Sequence, residues 1–148
     1  MQDTKPNPSL EFGLHPVPAV GIVCWREDEI LLIRRRHAPH KDMWSIPGGR
    51  VQPSETLIDA ALRELREETG VTAQLCGLIA VYDLIEPSFH YILIDYAAVW
   101  TGGILTAGDD ATEASFVHWE DAIVRVVQPD LVEAILRSRS LVVGANPT

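Results

Sequence analysis

Three closely spaced glutamates, Glu64, Glu67 and Glu68, are the acidic residues of this sequence that could act together in a reactive site. On an α-helix, positions i, i+3 and i+4 lie within an arc of about 100°. Carboxylates at this spacing repel one another in water, but a hard divalent cation such as Mg²⁺ binds oxygen ligands and turns the repulsion into binding. The spacing predicts a helix face that can bind a divalent metal ion. The alternative is a solvated acidic surface.

The helix that must carry these glutamates is predicted over Ser54–Thr69. Its apolar stripe consists of Ile58, Ala61, Leu62 and Leu65. This stripe has helical spacing and lies about 120° from the acidic arc. Ser54 is the predicted N-cap, Glu55 suits the first turn, and Gly70 suits the residue after the last turn. One face should therefore pack on the core while another presents the three carboxylates.

Strands and short helices are predicted on both sides of this helix. The strands are Pro18–Arg26, Glu29–Arg36, Val71–Glu86, His90–Trp100 and Glu113–Trp119. Loops are predicted over His37–Ser45, Ile46–Gly49 and Thr101–Ala111, and short helices over Glu120–Val127 and Pro129–Ser138. This order predicts an α/β protein in which a sheet lies between helical layers.

Length, charge and cysteine content narrow the class of protein. The 148 residues suit one domain, predicted over 17–140, with a flexible lead-in at 1–16 and a tail at 141–148. The net charge of −9 disfavours a nucleic-acid polymer as partner. Two cysteines, Cys24 and Cys76, exclude a disulfide scaffold and are predicted to be small core side chains. We find no stretch apolar enough for a membrane span or a signal peptide, and predict a cytoplasmic protein with no membrane partner.

A wider pattern surrounds the glutamates. It consists of Gly49, Glu55, Arg63-Glu64-Leu65, Glu67-Glu68 and Gly70-Val71. At every defined position this pattern resembles the Nudix box, and the preceding Trp44–Gly49 is similar to the family's usual entry to it. The resemblance implies a Nudix hydrolase, an α/β/α sandwich with a mixed sheet. It also implies hydrolysis of a nucleoside diphosphate linked to another group X, with Mg²⁺ or Mn²⁺ as cofactor.

The resemblance also implies roles for single residues. The implied metal ligands are Glu64, Glu67, Glu68 and the Gly49 backbone. Arg63 would orient a carboxylate, and Gly48 and Glu55 would support the arrangement. The implied catalytic residues are Glu64, Glu67, Arg63 and Glu113. Glu113 resembles an extra acidic ligand or base found after the box, with Asp109 and Asp110 as competitors, and the general base stays open.

Basic residues just before the box are candidates for contacts to the substrate. They are Arg34, Arg35, Arg36, His37, His40 and Lys41. Alternation along a strand puts Arg34 and Arg36 on one face and Arg35 on the other, and we name Arg34 and Arg36 as substrate-binding candidates. Trp44 is a third: it would either stack on a base or pack beneath the loop.

The substrate class depends on a weaker signal. Pro87 follows Val71 at an offset similar to that in the ADP-ribose pyrophosphatase subgroup, although a proline there also suits a turn. This favours ADP-ribose or a nucleoside diphosphate sugar. The alternatives are a nucleoside triphosphate pyrophosphatase that removes modified nucleotides and a non-catalytic nucleotide-sensing domain. A homodimer is an expectation from the family alone.

Overall fold

A mixed seven-stranded sheet organises the chain in the computed structural model, which describes residues 15–145. The strands are β1 Val17–Arg26, β2 Glu29–Arg35, β3 Trp44–Ser45, β4 Gly48–Arg50, β5 Val71–Glu86, β6 Phe89–Gly103 and β7 Ala111–His118. The helices are α1 Leu57–Thr69, α2 Trp119–Arg125 and α3 Pro129–Ala145. The predicted strands and helices all occur, and β3 and β4 are additional.

Strand β1 is the centre of the sheet. It pairs antiparallel with β2 and β4 and parallel with β6, and the order along the sheet is β3-β2-β1-β6-β5, with β7 beside β2. Almost every residue of β1 is buried, because helices cover both faces of a strand that has neighbours on both sides. The short β4 lies along β1 and brings the Gly48–Arg50 backbone against the centre of the sheet.

Two apolar clusters, one on each face of the sheet, confirm the predicted α/β/α sandwich. Alternate residues of β1 face opposite clusters: Ile22 packs with Leu65 of α1, whereas Val23 packs with Ile135 of α3. The indole N–H of Trp25 donates a buried 2.9 Å hydrogen bond to Ser138, which ties the sheet to α3.

Helix α1 differs from its prediction at the N-terminus. Thr56, not Ser54, is the N-cap, and its side chain accepts a hydrogen bond from the backbone N–H of Asp59. Ser54 has a φ of 67° and precedes the helix. The prediction was wrong because both residues suit a cap, and only the chain's exit from β4 decides between them. Gly70 ends the helix in the left-handed conformation, as predicted.

Two other elements, β4 and α3, also differ from their predicted bounds. The segment Gly48–Gly49 was predicted as loop but pairs with β1 as a strand, since its glycines allow a close backbone approach. Helix α3 continues past the predicted end at Ser138 to Ala145 and so includes the first residues of the predicted tail. Most of the predicted lead-in, residues 1–14, lies outside the described residues.

The cysteine and membrane predictions can be compared with residues 15–145. Cys24 is buried and Cys76 half-buried, and both are free thiols. Within this range no helix has both the length and the apolar character needed to cross a bilayer.

We predict that Leu65→Ala lowers the free energy of unfolding by about 2–5 kcal/mol, because this side chain is fully buried between α1 and the sheet. Ile58 was predicted on the same stripe but is 45% exposed, so Ile58→Ala should cost less than about 1 kcal/mol. Urea unfolding of both variants measures the difference. Equal losses would contradict this packing of α1.

Candidate active site

A cleft of about 1440 Å³ crosses one end of the sheet, from α1 to the first turn of α3. Glu64 and Glu68 of α1 line it together with Gly48 and Gly49 of β4. Arg35, at the end of β2, also lines it. The cleft therefore contains the part of the acidic helix face that lies next to β4.

Glu68 is the least exposed carboxyl group of the described chain, with 2% of the residue accessible. It follows Leu65 and Ala61 on the core-facing side of α1, so the prediction that all three glutamates lie away from the core was wrong for Glu68. Burial, together with the neighbouring Glu64 carboxyl within hydrogen-bond reach, raises the pKa of Glu68 to about 9. The backbone N–H of Gly48 donates a 3.2 Å hydrogen bond to Oε1 and, with the charge of Arg35, opposes this rise.

Gly49 must be glycine for the cleft to have this form. A Cβ on residue 49 would lie 2.6 Å from the carboxyl carbon of Glu64, so any side chain would displace that carboxyl. The bare backbone of β4 is thus pressed directly against the Glu64 side chain. The backbone of Gly49 thus lies close to an acidic residue, whereas that of Gly48 lies close to the backbone of β1.

Arg63 uses all five of its N–H donors to organise the acidic residues. Nε and Nη2 donate to the two oxygens of Glu55 at 2.6 and 2.9 Å, and Nη2 also donates to the Arg50 carbonyl at 3.1 Å. Nη1 donates to Glu64 at 2.8 Å and to Glu67 at 3.1 Å. These bonds raise the pKa of Arg63 and lower that of Glu55, so the Arg63–Glu55 ion pair keeps both charges. Both predicted roles, orientation by Arg63 and support by Glu55, agree with this geometry.

Glu67 does not converge with the other two glutamates. Its side chain is 41% exposed, contacts Arg63, and is not part of the cleft lining. Among residues 15–145, no three His, Cys, Asp or Glu side chains are placed to bind one metal ion together. The structure thus brings Glu64 and Glu68 together, while Glu67 would have to leave Arg63 to join them.

The basic side chains have a different arrangement from the one predicted. Arg34 donates to the Asp42 carbonyl and to Glu113 at 3.3 Å, and Arg36 donates to the carbonyls of Asp109 and Ala111. Arg34, Arg36 and Glu113 are absent from the cleft lining, whereas Arg35 is part of it. Arg34 and Arg36 thus lie apart from Arg35, as strand alternation predicts, but it is Arg35 that faces the cleft.

Trp44 packs against the core and also reaches the cleft, so stacking on a base stays a prediction. It is half-buried against the core cluster beside α2 and α3, and the guanidinium of Arg125 lies 4.9 Å from its ring centroid. The same side chain lines the cleft. It therefore packs beneath the loop and also offers apolar surface to a ligand.

Comparison with known proteins decides the family. The model of the NUDIX domain matches residues 15–137, which includes the whole site. The chain belongs to the Nudix family. A solved Nudix hydrolase from Nitrosomonas europaea superposes with a TM-score of 0.75 at 18% identity, over 85% of this chain and 90% of that one. At this identity the likeness shows the fold alone.

Two curated relatives carry names that mention substrates. A Methanocaldococcus jannaschii protein named ADP-ribose pyrophosphatase is 41% identical over 105 residues, 70% of this chain and 62% of its own. The Mus musculus 8-oxo-dGDP phosphatase NUDT18 is 33% identical over 110 residues, 69% of this chain and 33% of its own. The match thus spans less than two thirds of the length of each relative.

The Nudix site has the donor chemistry of a divalent-cation site. Glu64 and Glu68 offer hard oxygen ligands, and the β4 backbone lies against them. A buried carboxyl with a raised pKa next to a second carboxyl is stable only with a proton or a cation between them. The residues present therefore fit Mg²⁺ or Mn²⁺.

We predict that Glu68 makes the metal-free protein less stable as pH rises. Its pKa is raised on folding, so between its ordinary value near 4.5 and about 9 the folded state binds a proton that the unfolded state lacks. The bound proton adds to the free energy of unfolding at low pH, and this addition is lost as pH rises, by at most about 1.4 kcal/mol per pH unit.

Glu68→Gln should remove this contribution, whereas Glu67→Gln, at an exposed position of the same helix, should keep it. Urea unfolding in excess EDTA between about pH 7 and pH 9 measures the slope for the wild type and both variants. If the slope of Glu68→Gln matched that of the wild type, Glu68 would not carry the buried proton.

Proposed function

We propose that this Nudix protein hydrolyses the pyrophosphate bond of a nucleoside diphosphate linked to a second group, with Mg²⁺ or Mn²⁺ bound by its acidic helix face. The observation that carries the proposal is the pair formed by buried Glu68 and half-buried Glu64 at the wall of the cleft. Adjacent carboxyls with little access to water are unfavourable when both are charged, and a bound cation relieves that cost while keeping both carboxylates available as ligands.

The acidic site could not bind a diphosphate by itself, since its charge repels phosphate oxygens. Bound divalent ions supply the positive charge and lower the pKa of an attacking water. Glu64, Glu68 and the Gly49 backbone would be ligands, with Glu67 joining after it leaves Arg63. Arg35 and Arg50 both line the cleft, and we take Arg35 as the candidate for a phosphate contact.

The other residue roles follow from the contacts of Arg63. This guanidinium holds Glu64 in a fixed orientation, and Glu55 and the Arg50 carbonyl hold the guanidinium. A carboxylate takes the proton of the attacking water. Glu64, Glu67 and Glu113 are the candidates for that base, and Glu113 would need to leave its contact with Arg34 to act in the cleft.

ADP-ribose, or a nucleoside diphosphate sugar, is the substrate class that we favour, because the archaeal relative at 41% identity is named ADP-ribose pyrophosphatase. Pro87 adds little support, since with Ser88 it forms the two-residue turn between β5 and β6. The name of the mouse relative supports modified nucleotides as the second candidate. A cytoplasmic location and a homodimer remain predictions.

The site argues against a non-catalytic sensor. All five charged box residues are present, and four of them, Glu55, Arg63, Glu64 and Glu67, are joined in one hydrogen-bonded cluster. A domain that only bound nucleotides would not need this cluster. Turnover separates the two alternatives.

A panel of nucleotides tests the proposal. With Mg²⁺ or Mn²⁺ we expect ADP-ribose to give AMP and ribose 5-phosphate, with ¹⁸O from labelled water in one phosphate product and no turnover in excess EDTA. Glu67→Gln should lose about 10²-fold or more in kcat, as expected for a group that acts on transition-state charge, with little change in stability.

Glu133→Gln is the matched control, because Glu133 is also a helical glutamate that pairs with an arginine four residues away. It lies on α3 and should keep full activity. Activity of Glu67→Gln within threefold of the wild type would exclude Glu67 as a principal ligand. Full turnover in EDTA would exclude the metal-dependent mechanism, and preference for a triphosphate would exclude ADP-ribose alone.

A further inference from the structure

Asp95 is a second buried acid, and the site described so far does not use it. It lies in the middle of β6, between Gly21 of β1 and Ala80 of β5, and only 4% of the residue is accessible. Its carboxyl group has no hydrogen bond or ion pair with any residue between 15 and 145. An aspartate with so little access to water normally has a partner, because an unpaired buried carboxyl costs stability.

The carboxyl group faces the cleft. Asp95 belongs to the cleft lining, and a Cβ on residue 21 would overlap its Oδ1, so the oxygen lies directly above Gly21. In the described chain, His90 Nε2 is the one side-chain nitrogen or oxygen that is fully inaccessible to solvent and has no hydrogen bond. Since the Asp95 oxygens also have no hydrogen bond but are not in that class, they are partly accessible to solvent. Asp95 lines the cleft, so the cleft is where solvent reaches them.

The surroundings of Asp95 suit a flat, uncharged group better than a phosphate. Trp44, Tyr82 and Leu93 line the same cleft and provide aromatic and apolar surface. Asp130, in the first turn of α3, also lines it and adds negative charge near Asp95. A phosphate would be repelled here, whereas the metal-binding carboxylates at the other wall would receive it through bound cations.

The protonation state of Asp95 sets what it can recognise. Burial, with the nearby charge of Asp130, raises the pKa of Asp95 to about 7. The protonated acid offers one O–H donor beside one carbonyl acceptor. The Watson–Crick edge of a nucleobase offers the complementary pair, an acceptor beside an N–H donor.

We infer that Asp95 binds the Watson–Crick edge of the substrate's base and selects which base the cleft accepts, a role that rests on the proposed nucleotide hydrolysis. The diphosphate would then lie towards α1 and the base towards α3. Asp95 is a specificity residue and takes no part in breaking the bond.

Binding of nucleoside monophosphates, compared with ribose 5-phosphate, tests this inference. Both ligands carry a 5′-phosphate, and both are measured in Mg²⁺ buffer. The ratio of their two affinities therefore reports the contribution of the base to binding. For the wild type we expect calorimetry to show that at least one of AMP, GMP, CMP and UMP binds about tenfold or more tighter than ribose 5-phosphate, the size of one good buried hydrogen bond.

Two substitutions of similar volume separate hydrogen bonding from packing. Asp95→Asn keeps a donor beside an acceptor and should retain the affinity ratio within about threefold, whereas Asp95→Leu should lose it by about tenfold with unchanged ribose 5-phosphate affinity. An unchanged ratio in Asp95→Leu, or equal losses in both variants, would overturn the inference.

A measurement on the wild type covers the case in which a variant does not fold. The carboxyl ¹³C resonance of Asp95 should shift on addition of the selected monophosphate but not of ribose 5-phosphate, and equal responses would overturn the inference. Hydrolysis measured in parallel separates the two proposals. A protein that selects a base through Asp95 but hydrolyses nothing would refute only the proposed function, and one that hydrolyses nucleotides without base selection would refute only the role of Asp95.

Discussion

Two carboxyl groups held side by side with little access to water are the constraint on which the rest of the site depends. Glu68 is 2% exposed and lies against Glu64, so the two cannot both be charged without a counter-charge between them. The bare backbone at Gly49 presses on Glu64, and the Gly48 N–H points at Glu68. Replacing Glu68 by an apolar residue would favour folding and remove the site, so the acid is retained at a cost to stability.

The surrounding structure keeps this unfavourable pair in position. Arg63 donates from Nη1 to Glu64, and Glu55 and the Arg50 carbonyl hold the guanidinium in place. These bonds join α1 to the end of β4 and to the segment that follows it. At the other end of α1, the backbone N–H of Gly108 donates to the Glu68 carbonyl at 3.0 Å. The loop between β6 and β7 therefore closes the helix end, and the acid sits on a rigid element.

The sequence predicted the helix and its acidic residues from local spacing, and the sandwich from the order of the elements, but Glu67 does not converge with Glu64 and Glu68 as predicted. It could not predict the burial of Glu68, which depends on where β4 crosses α1, nor the exposure of Ile58 at the helix start. It favoured Arg34 and Arg36 over Arg35 because strand alternation separates the two sets of side chains but does not reveal which set faces the cleft. Asp95 could be noticed in the sequence as a lone acid inside an apolar strand. Its position above Gly21 and beside the cleft could not, because that depends on the register of β1 with β6.

Proton release on metal binding tests the central claim, that a cation takes the place of the proton that Glu68 holds beside Glu64. Calorimetric titration with Mn²⁺ or Mg²⁺ near pH 7, in buffers with different ionisation enthalpies, gives the number of protons released for each ion bound. Because Glu68 holds a proton at this pH in the metal-free protein, the wild type should release close to one proton, and Glu68→Gln should release almost none. Tight metal binding without proton release, or equal release from Glu68→Gln, would contradict the account.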